Sequence, residues 1–216
     1  MNRNILFVVG ILTLLLIPFT VTAVDETETD DTGDVWHWKW NENAGTFSWE
    51  EATTSRSNID ITELTYSIDN QQITFQMVVD GSIQDAEGIV YWAYYNTTDA
   101  NYYMTYHNGQ GGCYGMSTSG TNFSFGNATA LGNTITATVD TLGTGEKDAF
   151  YGWAAEYTEY GNANAEWWGD WAPQSRSPWH GIDNDGDDNG TPGFELVLAM
   201  GSILVIVFIK QRKHKV

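Results

Sequence analysis

The chain has 216 residues, a formal charge of −19 and one cysteine, a length that suits one domain of ordinary size plus terminal segments. Between positions 24 and 190 there are 27 acids and four bases, a net −23, so the domain repels phosphate; a nucleic-acid partner and direct docking on an anionic bilayer are both disfavoured. Cys113 has no intrachain partner, which excludes a disulfide scaffold.

The N-terminus reads as a secretory signal over residues 1–23. Arg3 supplies the positive end, and Ile5 to Phe19 is an uncharged apolar run. Val21-Thr22-Ala23 places small residues at a cleavage point after Ala23. The alternative is an uncleaved anchor helix. Residues 24–35 carry many acids and no aromatic, and are expected to form an acidic spacer.

Residues 36–179 form the expected domain. They hold ten Trp, eleven Tyr and five Phe. The dominant period is two, which is the period of a strand. Trp36, Trp38 and Trp40 alternate with His37 and Lys39. Leu64, Tyr66 and Ile68 alternate with Thr65 and Ser67, and Asp69-Asn70 supplies a turn. Ile73, Phe75, Met77 and Val79 complete a hairpin-like pair. Further strands are expected at 89–95, 102–107, 112–117, 122–125, 134–139 and 150–157, separated by glycines. No segment shows a capped 3.6-residue period. The expectation is an all-β fold, an antiparallel β-sandwich of about eight strands, flanked by a signal helix and a C-terminal transmembrane helix.

Tyr91-Trp92-Ala93-Tyr94-Tyr95 puts rings on both faces of its strand. Flat rings beside Asp, Glu and Asn suit pyranoses, which need an apolar face to stack on and acceptors for hydroxyls. Glu166-Trp167-Trp168-Gly169-Asp170-Trp171 is the densest such cluster, with Trp92 and Trp153 as further candidates. The competing reading makes these tryptophans core.

Catalytic patterns are weak. Glu156 and Glu159 are three apart and would face opposite sides of a strand. Gly115-Met-Ser117-Thr-Ser119 lacks the last glycine of a nucleophile elbow. No two histidines have zinc spacing. A non-enzyme is expected. Sequons at Asn96, Asn122, Asn127 and Asn189 are candidate glycosylation sites.

Residues 180–192 read as an acidic linker. Asp183, Asp185 and Asp187 alternate like a calcium loop, but position six is Asp188 and position twelve is Phe194, so a solvated linker competes. Leu196 to Ile209 is apolar and is followed by a Lys/Arg cluster, which places the C-terminus inside and the domain outside.

Thr191-Pro192-Gly193-Phe194-Glu195, the apolar tail and the basic end together resemble the archaeal PGF-type C-terminal sorting signal. That resemblance implies processing near Pro192, Gly193 and Phe194 by an archaeosortase-type protease, with lipid attachment at the outer face of the cytoplasmic membrane. A plain single-pass anchor over residues 193–216 is the alternative. The stretches 60–68, 73–81, 134–139 and 150–157 resemble, in order and pattern, extracellular DOMON-like and family-nine carbohydrate-binding-module-like β-sandwiches. Such domains bind sugars or haem. For haem, this chain offers Met77, Met104, Met116 and His107, without a spacing that identifies a pair. The expected function is therefore surface-anchored, non-catalytic ligand binding. Carbohydrate, or another envelope component, is the first partner. No cofactor is required, with haem and calcium as alternatives. A purely structural envelope role is the different-class rival.

Overall fold

The computed structural model describes residues 24–69, 71–143 and 145–179. The expected cleavage site at Ala23 lies outside them. So do the Asp183/Asp185/Asp187 tract, Asn189, the Pro192-Gly193-Phe194 motif and the apolar tail. Among the described residues, no helix is long and apolar enough to cross a membrane.

Among the described residues, twelve strands form one curled antiparallel sheet. In chain order they are β1 (Val24–Thr29), β2 (Trp36–Asn41), β3 (Thr46–Glu51), β4 (Ile61–Asp69), β5 (Gln72–Val79) and β6 (Ile89–Thr97). Then come β7 (Ala100–His107), β8 (Gln110–Ser117), β9 (Phe123–Leu131), β10 (Thr134–Asp140), β11 (Lys147–Tyr157) and β12 (Trp167–Ala172). The spatial order is β1-β4-β5-β10-β9-β8-β7-β6-β11-β12-β2-β3. One turn of 3₁₀ helix, Gln174–Arg176, follows β12.

The fold is all-β, as expected, but it is one continuous sheet with more strands than the eight read from the sequence. The joint is β9. Its first half, Phe123 to Gly126, pairs with β8, and its second half, Asn127 to Leu131, pairs with β10. At the corner a Cβ on Gly126 would sit 1.7 Å from the Thr138 carbonyl oxygen. The backbones meet too closely there for any side chain, so the strand changes layers at a glycine.

Curling lays β4 over β11 and β12. The space between the layers is filled by alternate residues of each strand. Leu64 and Tyr66 enter from β4, and Ile73, Phe75, Met77 and Val79 from β5. Ile135, Ala137 and Val139 come from β10, Tyr91, Ala93 and Tyr95 from β6, and Tyr102, Met104 and Tyr106 from β7. Each large apolar side chain removed from water contributes about 1.5–3 kcal/mol. These same alternations set the strand register, because a slip of one residue would expose the whole set.

Residues 24–29, read from the sequence as acidic spacer, form the edge strand β1 paired with β4. An edge strand tolerates polar side chains because part of it faces water. Glu26 accepts the Tyr66 hydroxyl at 3.0 Å and pairs with Lys147. At the opposite edge, the β2–β3 hairpin extends the second layer past β12.

Candidate functional site

Strand β12 divides the densest aromatic cluster of the sequence. Successive side chains alternate, so Trp167, Gly169 and Trp171 lie on the outer face of the second layer, and Trp168 and Asp170 on the inner side. Trp167 and Trp171 are buried, at 5% and 6% exposure. A second aromatic cluster, separate from the interlayer core, gathers them with Val90, Trp92, Tyr103, Trp153 and Trp179.

Trp168 has both ring faces occupied. His37 stacks on it at 4.3 Å between centroids, and the Arg56 guanidinium lies 4.0 Å from the ring centre. Its neighbours complete a row across four strands, Glu50, His37, Trp168 and Glu156. Glu166 lies 3.5 Å from the His37 ring. Asp170 is fully buried and accepts the Ile61 amide at 2.6 Å and the Trp171 amide at 2.8 Å. This carboxylate therefore faces backbone and not the aromatic surface.

On the outer face the cross-strand register builds two parallel rows of rings. In one, Trp92 pairs with Trp153 and Trp153 with Trp171. The indoles stack at 6.3 Å and 5.5 Å. Trp49 and Trp179 close on Trp171 edge-on, and Trp179 stacks on Trp36. Trp92 and Trp153 are each 8% exposed. This row is a packed unit.

The adjacent row runs Phe125, Tyr114, Tyr103, Tyr94, Tyr151 across β9, β8, β7, β6 and β11. Tyr103 and Tyr114 stack at 4.7 Å, and Tyr94 meets both Tyr103 and Tyr151 at 5.0 Å. Tyr94, Tyr114 and Tyr151 are half-buried and Phe125 is exposed. Five neighbouring strands place the ends of this row about 19 Å apart. Tyr94 donates its hydroxyl to Asn101 Oδ1 at 3.0 Å. Asn96 lies opposite Asn101 in the next register row and donates its amide to Asp148 at 2.9 Å. Burial pushes the Tyr94, Tyr114 and Tyr151 phenols above their ordinary range, so all three remain neutral hydroxyls at physiological pH. Arg176 opposes the rise at Tyr151. The row thus offers ring faces, neutral hydroxyls and flanking amides along one line.

The sequence pointed to the indoles instead of these tyrosines. Period two places Tyr94, Tyr103 and Tyr114 on one face of their own strands, but nothing local says that they fall opposite one another.

Among the haem candidates, the sheet puts His107 on the face opposite Met77 and Met104. Met77 and Met104 are fully buried in the interlayer core. His107 follows Met104 by three positions and points to the other face, where its ring meets Tyr160 at 4.4 Å. His107 Nε2 lies 2.6 Å from the Glu87 carbonyl. Met116 lies half-buried on β8. Of the sequons, Asn122 and Asn127 are exposed and Asn96 is half-buried on the tyrosine face. Comparison with family models, with curated proteins and with solved structures gives no match.

Proposed function

We propose that this chain is an exported, surface-anchored, non-catalytic protein that binds extended carbohydrate on the outer face of its second layer. The tyrosine row carries the reading. It is a line of five rings about 19 Å long, with Tyr103 buried at its centre, Tyr94, Tyr114 and Tyr151 half-open and Phe125 exposed, bordered by Asn96 and Asn101. Pyranose rings stack on such faces, and hydroxyls and amides exchange hydrogen bonds with them. A row that crosses five strands suits an oligosaccharide better than a single sugar. The buried tryptophan row flanks the platform on the same face. Anchoring rests on the terminal apolar segments and the Pro192-Gly193-Phe194 motif.

A glycan array probed with the full-length protein tests the proposal. Binding to a neutral oligosaccharide is expected, reduced at least tenfold by Tyr114→Ala and unaffected by Leu131→Ser at the exposed β9–β10 turn. Silence across the array sinks it. The structural-envelope reading draws on a different observation: Trp167 and Trp171 are buried, and Trp168 is covered on both faces. Under that reading Tyr114→Ala changes no ligand binding.

A further inference from the structure

A second constellation lies away from the aromatic face, where the loop between β1 and β2 crosses the ends of β4 and β12. One carboxylate oxygen from each of Asp30, Asp34 and Asp170 lies within 4.8 Å of the other two. Two oxygens held 2.3–2.6 Å from one calcium ion are at most about 5 Å apart. The three carboxylates therefore already stand at the spacing of a shared hard cation.

Carboxylate proximity alone means little on so acidic a chain. The independent observation is a set of orphaned oxygens. Asp60 is 3% exposed, and its Oδ2 accepts the amide of Gly33, inside the Asp30–Asp34 loop, at 2.7 Å. Its Oδ1 is buried with no hydrogen-bond partner. Asp30 Oδ2 and Asp34 Oδ1 are likewise buried and unpartnered. A buried polar atom without a partner costs about 1–3 kcal/mol, and more when it is charged. Three on neighbouring carboxylates would be a heavy penalty, and a divalent ion shared by Asp30, Asp34 and Asp170 would offset the part carried by Asp30 and Asp34.

Among the described residues, no Lys, Arg or His forms an ion pair with Asp30, Asp34, Asp60 or Asp170. The charges acting on Asp30 are those of Asp34, Asp31 and Asp60, and those acting on Asp170 are Asp34, Asp30 and Asp60. An ionised quartet needs a counter-charge from solution.

We propose that Asp30, Asp34 and Asp170, with Asp60 beside them, form a calcium site that pins the β1–β2 loop to the ends of β4 and β12. Calcium is chosen over magnesium because magnesium dehydrates reluctantly and seldom accepts several protein carboxylates in a confined place. Gly33 lets the loop close, with φ +83° placing its amide on Asp60. Asp183, Asp185 and Asp187 lie outside the described residues and are not among these ligands.

The test uses the full-length chain stripped with EGTA, titrated with CaCl₂ by calorimetry and followed by thermal unfolding. One tight calcium per chain and a higher melting temperature are expected, with a much weaker response to MgCl₂. Asp34→Asn replaces a half-buried residue and should keep the native far-UV spectrum while lowering calcium affinity by about tenfold or more. Asp30→Asn should do the same. A triple Asp183→Asn, Asp185→Asn, Asp187→Asn variant should bind as the parent does. Absence of calcium binding overturns the proposal. So does binding that survives Asp34→Asn and Asp30→Asn but disappears in the triple variant.

Discussion

The Asp170 carboxylate on β12 accepts the Ile61 amide at the start of β4 at 2.6 Å, a buried hydrogen bond that ties the second layer to the first. The Asp170 side chain is fully buried, and its other oxygen takes the Trp171 amide. A serine or alanine could not satisfy both donors. The acid at this position therefore sets how far β12 slides beneath β4, and with it how the outer tryptophans line up with their neighbours.

The corner at Gly126 should tolerate no side chain. Gly126→Ala places a methyl group 1.7 Å from the Thr138 carbonyl oxygen, so one backbone must move. A loss of about 3 kcal/mol or outright misfolding is expected, read by urea denaturation. Gly132 has a positive φ of 65° and open space around it, so Gly132→Ala should cost about 1 kcal/mol. Equal losses at the two positions would contradict the close approach at the corner.

Trp168 should behave as a structural residue. It is held between His37 and Arg56 and packs partly against the core. Trp168→Ala is expected to cost about 2–3 kcal/mol, below the roughly 3–5 kcal/mol of a fully buried tryptophan because this ring is only half-buried. Arg56→Gln should cost about 0.5–1 kcal/mol through the lost cation–ring contact. Phe125→Ser, on an exposed ring, should leave the midpoint nearly unchanged. A neutral Trp168→Ala would show that the stacking contributes little.

His37 should titrate low and make the fold acid-sensitive. Burial lowers its imidazole below the ordinary 6.5, against Glu166 and Glu50, which favour the cation, and with Lys39, which opposes it. Arg56 lies beyond Trp168 on the far side of the stack. A lowered folded value means the native state prefers the neutral ring. The associated stability is complete above pH 6.5 and is lost as pH falls through the folded midpoint. Imidazole proton shifts should give a midpoint below 6.5, and His37→Phe should flatten the stability profile in that window. A midpoint above 6.5 would mean that the two glutamates dominate.

The Cys113 thiol should be silent in the native protein. It faces the core at 2% exposure, and burial pushes it up to about 12. At pH 8 only about one thiol in ten thousand would be ionised. Reaction with a disulfide reagent should appear only on addition of denaturant, with one equivalent per chain. Rapid native labelling would show that β8 opens locally.

Much of this was legible along the chain. The alternation in Leu64 to Ile68 and Ile73 to Val79 marks a hairpin with one buried face, and the structure pairs Tyr66 with Phe75. Rings on both faces of residues 91–95 follow from the same period. The strands β1, β3 and β12 were not legible as strands. β1 is acidic because it is an edge, β12 is covered on both faces so that it does not alternate cleanly, and β3 alternates only over the short stretch Phe47 to Trp49 at the far margin. The tyrosine row and the Asp30, Asp34, Asp60 and Asp170 group were hidden for a different reason. Their members come from segments up to 140 residues apart.

The amino-acid order alone determined an all-β domain, heavily acidic and over-supplied with rings, because strand period and charge are properties of neighbouring residues. Which rings stay open, which carboxylates meet and where one sheet folds into two layers were decided only by tertiary structure. Register and curl are settled by the collective burial of side chains distant in sequence, and no local stretch contains that information.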